Sequence, residues 1–286
     1  MSRLRLTAES WPWFRLVHPF PSILVTASCA AFAEMAGGGV SPPDRVARLI
    51  AAVLCSQFAI GSANDVVDRR LDRATKAWKP VARGAVAVNA AAGLALVLSL
   101  ACLALSSSLP WPTVLAAAFG LGCGLSYDFW LKRSRWSWLP YGLAIPTLPL
   151  WSWLAMGKFS THLLLAYPLG VLLGLSLHLA NTLPDLDGDS NFGVAGLAHG
   201  LGARRSQVLC WAALLLAQLI TLALAPALGY KGAWYPLGLG ASLVLLVATA
   251  SVRRVRPTSG ALQLNFGLVA LSSLSLAVGW LGGAVA

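Results

Sequence analysis

Residues 64–72 read NDVVDRRLD, and residues 181–189 read NTLPDLDGD. Both contain N-x-x-x-D-x-x-x-D: Asn64, Asp68 and Asp72 in the first, Asn181, Asp185 and Asp189 in the second. Six of the eight Asp in the chain fall inside these two nine-residue windows, which scattered surface charge does not explain. On an α-helix four residues advance about 400°, so the three side chains drift by about 40° per step and share one face. A stripe of two carboxylates and an amide repels itself unless a cation sits against it. Hard divalent cations favour such oxygen ligands, and Mg²⁺ usually completes its shell with water and substrate phosphates. Two or more Mg²⁺ between the two stripes would bridge to a diphosphate. Helix-end charges that merely stop an apolar span would account for either motif alone, but not for the pair.

Outward from the motifs the chain is apolar. Of its 286 residues 57% are hydrophobic and only 11% charged, with a mean hydropathy of +0.71. Soluble domains carry about 25% charged residues, so this composition places the chain in a lipid bilayer. Apolar runs long enough to cross a core of about 30 Å are expected near 20–40, 46–64, 84–107, 112–131, 137–157, 161–183, 206–226, 232–252 and 261–285. The fold expected is all-α and polytopic: nine transmembrane helices in one domain over residues 1–286. The apolar stretch after Arg3, Arg5 and Arg15 mimics a signal peptide but continues into further spans, so an uncleaved first helix is expected.

The basic residues set the orientation. With the N-terminus cytoplasmic, 17 of the 21 Lys and Arg fall on the inside, and Arg45, Arg48, Lys158 and Lys231 on the outside. A net charge of +11 would suggest nucleic acid in a soluble protein; here it orients spans, and no nucleic-acid partner is expected. Both motifs then end spans running in the same direction, the second and the sixth, and face one cavity from the cytoplasmic side. Pro184 falls inside the second motif and should break its helix, an irregularity tolerated where backbone lines a wet cavity. The first motif has no Pro before Pro80 and can be regularly helical.

Cations near the motifs suit a departing diphosphate: Lys76, Lys79 and Arg83 after the first, Lys132 and Arg133 after Tyr127-Asp128. Lys79 and Lys132 are the leading candidates, against the plainer reading that basic residues only fix topology. His18 and His178 read as cavity-lining or hydrogen-bonded core residues, and His162 and His199 as loop residues. Cys29, Cys55, Cys102, Cys123 and Cys210 all sit in apolar stretches without a metal-binding spacing and read as small core residues.

At this point the residues resemble the UbiA superfamily of intramembrane prenyltransferases. The likeness is carried by Asn64 to Asp72 with Lys79-Pro80 and Gly84, by Tyr127 with Leu131-Lys132-Arg133, and by Asp185 to Asp189 with Gly193 and Leu201-Gly202. It extends over essentially the whole chain. It implies a helical barrel around a central cavity, capped by the cytoplasmic loops after spans two, four, six and eight. It also implies an isoprenyl diphosphate bound through Mg²⁺ on Asn64, Asp68, Asp72, Asp185 and Asp189, with Lys132 on the diphosphate. Asp68, Asp72, Asp185, Asp189 and Lys132 are thus the expected catalytic residues. Asn64, Lys79, Arg83, Tyr127, Asn181 and Arg15 are expected to bind substrate, Arg15 substituting for an Arg that the family places before Pro where this chain has His18-Pro19. Lys79 stands where the family usually has Arg, Asp128 where Ser or Thr is common, and Ser190-Asn191 where a basic residue is common.

The expected reaction is ionisation of the allylic C–O bond in an apolar chamber, followed by attack of a lipophilic or aromatic acceptor. A membrane terpene cyclase of the same superfamily would trap the cation internally. A cation-coupled transporter is the remaining rival, because intramembrane acids mark ion paths, but transporters place them near the midplane in repeats that are often inverted. Incubating the protein with geranylgeranyl diphosphate and no acceptor separates the enzymes: a transferase should yield no cyclic hydrocarbon or alcohol, and a cyclase should.

Overall fold

The computed structural model describes residues 11–186, 188, 194–230, 232–252 and 259–285. Among these the chain is helical without strands. A short α1 (Pro12–Leu16) leads into α2 (Pro19–Gly37), α3 (Pro43–Val67) and the short α4 (Arg69–Thr75). There follow α5 (Val88–Ser107), α6 (Pro112–Phe129), α7 (Leu139–Ala155), α8 (His162–Thr182), α9 (Leu197–Ala227), α10 (Trp234–Val252) and α11 (Ser259–Val285). Single 3₁₀ turns stand at Leu131–Arg133 and Leu183–Asp185.

Local chemistry sets many of these boundaries. Proline occupies the first turn of α1, α2, α3, α6 and α7, where its missing N–H has no helical partner to lose. Gly38 ends α2 in the left-handed conformation, its N–H bonded to Glu34 and Met35 carbonyls. Seven helices are long and apolar enough to cross a membrane by length and composition; α6 and α7, of 18 and 17 residues, are the shorter long helices beside them. Large side chains such as Leu96, Leu100, Leu219 and Val247 stand exposed on α5, α9 and α10. Water would penalise such surfaces, whereas lipid does not.

At the helix ends remote from the motifs, Phe32, Leu49, Val53, Trp151, Trp153 and Trp280 close the bundle with an apolar plug. Elsewhere small residues let backbones touch. A Cβ on Gly174 of α8 would lie 2.5 Å from the Tyr141 carbonyl oxygen and 2.7 Å from Gly142 Cα on α7, and one on Gly170 would meet Pro146. This contact sets Tyr141 on α7 beside His178 and Asn181, which lie one and two turns further along α8.

The sequence-based expectation that the first motif continues one regular helix is only partly met. α3 ends at Val67 and α4 begins at Arg69, with Asp68 (φ −87°, ψ 2°) between them. The four-residue register nevertheless survives, because the Asp68 N–H bonds the Asn64 carbonyl at 2.9 Å and the Asp72 N–H bonds the Asp68 carbonyl at 2.8 Å. Pro184 does end α8, whose last turn becomes the 3₁₀ turn Leu183–Asp185. His162 and His199, expected in loops, instead stand in the first turns of α8 and α9, because neither is preceded by a residue that stops a helix from starting there.

Gly174→Ala should wedge α7 from α8 and lower stability by about 1–3 kcal/mol, seen as a lower thermal midpoint in detergent. Gly93→Ala on α5, where an added Cβ meets nothing, should leave the midpoint unchanged or raise it slightly.

Candidate active site

Both motifs open onto one cavity of about 850 Å³, lined by Asn64, Asp68 and Asp72 from the first and by Asn181 and Asp185 from the second. Asp189, the last acid of the second motif, lies outside the described residues. Two segments fold back over the first motif. The turn after α4 brings in Lys76 and Lys79, and the 3₁₀ turn after α6 brings in Lys132.

Each lysine meets a carboxylate. Lys132 Nζ pairs with Asp68 Oδ2, both side chains less than one tenth exposed. Lys79 Nζ lies 2.8 Å from Asp65 Oδ1 and 2.9 Å from Asp72 Oδ2, and donates to Asn64 Oδ1 at 3.2 Å. Lys76 Nζ donates to Asp185 Oδ2 at 2.7 Å and so bridges the two motifs. Asn64 Nδ2 donates to Asp68 Oδ2 at 3.2 Å and to Asp128 Oδ1 at 2.9 Å, which uses the amide fully. Burial works to lower the Lys79 pKa, but the Asp65 and Asp72 charges beside it outweigh burial and hold it above the usual lysine range. For Asp72 burial is the largest influence and raises its carboxyl pKa, against the opposing pull of Lys79.

The pairing leaves buried oxygens without a hydrogen bond among the described residues: Asp65 Oδ2, Asp68 Oδ1 and Asp128 Oδ2. Desolvated carboxylate oxygens of this kind are costly unless a donor or a cation reaches them. No three His, Cys, Asp or Glu among the described residues already stand close enough to hold a metal ion. The lysines are interleaved with the acids, and the free oxygens are the hard donors that Mg²⁺ selects. Within the first motif the free donor is Asp68 Oδ1, a hard carboxylate oxygen of the kind that fits Mg²⁺.

Of the other residues expected at the site, Arg15 and Tyr127 line the cavity, and the Arg15 guanidinium lies 5.9 Å from the centre of the Trp78 ring. Arg83 does not join them. It is exposed and is not a cavity residue, because the neighbouring Val81 and Ala82 are buried and Gly84, at φ +78°, reverses the chain. Four residues outside the expected ligand and substrate-binding sets stand at the site, among them His18, read from sequence as cavity-lining or a hydrogen-bonded core residue. Asp65 anchors Lys79 and also accepts from, or pairs with, His18 Nε2 at 2.9 Å. His18 is the one described non-glycine residue with positive φ, at 49°, and a Cβ on Gly61 would press within 3.3 Å of the Val17 carbonyl beside it. Asp128 is buried at the cavity wall, and His199 lines the cavity. Asp128 stood out in the sequence as an unusual acid after Tyr127, Asp65 lay within the first motif and His18 began the first span, but the partners of each depend on contacts between distant elements.

The sequence model of the UbiA prenyltransferase family matches residues 23–274. Coumarin 8-geranyltransferase 1 from Citrus limon is 28% identical over 187 residues, 59% of this chain and 45% of that protein. Digeranylgeranylglyceryl phosphate synthase from Natronomonas pharaonis is 26% identical over 175 residues, 59% of this chain and 61% of that protein. The matched stretch thus spans between 45% and 61% of these relatives' own length. Among solved structures, a UbiA homolog from Aeropyrum pernix aligns with a TM-score of 0.73 at 18% identity, covering 90% of this chain and 96% of that one. A UbiA homolog from Archaeoglobus fulgidus bound to DMAPP and Mg²⁺ aligns with a TM-score of 0.69 at 14% identity, covering 96% and 100%.

Lys132→Met should strand the Asp68 carboxylate in a buried position and cost about 3–5 kcal/mol, read as a fall in thermal midpoint without added metal. Combining it with Asp68→Asn should recover more than half of that loss.

Proposed function

The chain belongs to the UbiA prenyltransferase family, and from that premise we propose that it ionises an isoprenyl diphosphate at the two-motif cavity and transfers the prenyl group to an oxygenated aromatic acceptor. The observation that carries the proposal is the convergence of Asn64, Asp68, Asp72 and Asp185 with three lysines on one apolar cavity. The relatives support it: one is named a coumarin 8-geranyltransferase and another a digeranylgeranylglyceryl phosphate synthase, and one structural neighbour carries DMAPP and Mg²⁺.

Asn64, Asp68, Asp72 and Asp185 would hold two or more Mg²⁺, with Asp189 as a further ligand. When bound, that group would supply Lewis acidity to the diphosphate oxygens. The remaining work belongs to the side chains. Lys76, Lys79 and Lys132, already drawn to the acids, are placed to turn to the diphosphate and stabilise its charge as the C–O bond lengthens. Arg15 and Trp78 line the same cavity and would meet the diphosphate there. Leu24, Ile60, Trp151, Leu173 and Phe266 form apolar walls along which the prenyl tail would lie, and they keep water from an allylic cation. The acceptor's electron pair forms the new C–C bond and its displaced proton leaves to solvent.

The membrane arrangement supported by these features has nine crossing helices, α2, α3 and α5 to α11, around the cavity, with the motif loops as caps on the cytoplasmic side. Its support is the 17-to-4 division of basic residues. In a background without native cysteines, an impermeant maleimide applied to whole cells should label Lys158→Cys and leave Arg135→Cys unlabelled; the reverse pattern refutes the orientation.

With radiolabelled geranylgeranyl or farnesyl diphosphate and candidate acceptors, Asp68→Asn and Asp185→Asn should each lower turnover at least about 100-fold. Unchanged turnover in both variants refutes the assignment of the motifs.

A further inference from the structure

One turn below the second motif lies a polar cluster that the diphosphate chemistry leaves unused. His178 is 1% exposed, lines the cavity, and stands three residues before Asn181, about 4.5 Å deeper along α8. Its Nε2 lies 2.9 Å from Ser137 Oγ. Ser137 is itself fully buried, and its Oγ accepts the Leu197 N–H at 3.0 Å. The buried serine hydroxyl proton has no acceptor other than His178 Nε2 among the described residues, so Ser137 donates to it. The neutral imidazole then carries its own proton on Nδ1. Nδ1 is buried and has no hydrogen-bond partner among the described residues.

The ring is also walled by aromatics. Tyr141 and Tyr127 stand with centroids 5.3 Å and 5.9 Å from the imidazole and 5.3 Å from each other, and Asn181 Nδ2 fixes the Tyr141 hydroxyl at 3.1 Å. The three rings pack on one another and present one aromatic wall to the cavity, against which a flat ring can lie. The lysines of the cavity are already paired with acids: Lys76 with Asp185, Lys79 with Asp65 and Asp72, and Lys132 with Asp68. A carboxylate or phosphate brought here would be desolvated without a counter-charge, which is strongly unfavourable.

We propose that His178, oriented by Ser137, forms the acceptor subsite and donates from Nδ1–H to the hydroxyl or carbonyl oxygen of an uncharged aromatic acceptor. The assignment rests on the transferase reading above and adds to it the class of acceptor: a phenol or hydroquinone ring without an acidic group at this end. Holding that oxygen one turn below the diphosphate sets the adjacent ring carbon beside the carbon that becomes cationic.

The test reads binding separately from turnover. Calorimetry on the full chain in nanodiscs, with Mg²⁺ and a non-ionisable geranylgeranyl thiolodiphosphate, would follow methylhydroquinone and 4-hydroxybenzoate as probes. The wild type should bind methylhydroquinone at least about tenfold more tightly than 4-hydroxybenzoate. His178→Phe, which keeps a flat ring and removes both nitrogens, should weaken methylhydroquinone binding at least about tenfold. His178→Asn, whose amide can replace the Nδ1 donor, should stay within about threefold of wild type. All should hold the diphosphate analogue within about twofold. Unchanged methylhydroquinone binding in His178→Phe, or preference for the carboxylate probe, overturns the proposal. Should the Phe variant not fold, Ser137→Ala replaces it: a loss of about threefold or more is expected, and unchanged binding overturns the proposal. A wild type that binds methylhydroquinone with these preferences yet never prenylates it supports the subsite and refutes the transferase reading instead.

Discussion

A buried carboxylate needs a cation, and that requirement organises this molecule. Asp65, Asp68, Asp72 and Asp128 are each nearly inaccessible, gathered where helices leave the apolar layer. Left unpaired, such charges would cost more than the bundle's packing could offset. The chain answers with two excursions, the turn carrying Lys76 and Lys79 and the turn carrying Lys132, which fold back to the acids rather than away from them. Their position follows from the acids, and the cavity mouth follows from their position.

That arrangement explains how a charged centre can sit among apolar helices. The charged end is held together by ion pairs, while the far end is closed by Trp151, Trp153 and Trp280. Between them, backbone contact at Gly142 and Gly174 brings α7 and α8 close enough for Tyr141, His178 and Asn181 to share one wall. The small residues are as much a part of the site as the acids, since a wider separation would part the rings.

Much of this was legible in the sequence because it is periodic. The apolar runs give the helices, and the four-residue spacing gives the shared face of Asn64, Asp68 and Asp72. Pro184 gives the break in the second motif. Lys79 and Lys132 were legible as cations near acids, though not as their partners. What escaped is non-local. Arg83 reads like Lys79 until Val81 and Ala82 bury themselves and Gly84 turns the chain, which sends the guanidinium outward. His199 looks like a loop residue beside glycines, yet it opens α9 and faces the cavity. Asp65 lies off the four-residue stripe of Asn64, Asp68 and Asp72, and its two partners lie 47 and 14 positions away.

Asp65 also bears on a helix of which it is not a part. His18 sits in a backbone basin that costs a non-glycine residue about 1–3 kcal/mol, and such conformations persist only where surroundings over-determine them. Here the fixing contacts are the Asp65 carboxylate on the imidazole and the bare Gly61 face under Val17. Residue 18 is therefore a bent spring between α1 and α2, and the lever arm it holds carries Arg15. If the latch on the imidazole were released, the spring would unwind toward an ordinary helical or extended basin and swing the guanidinium off the rim.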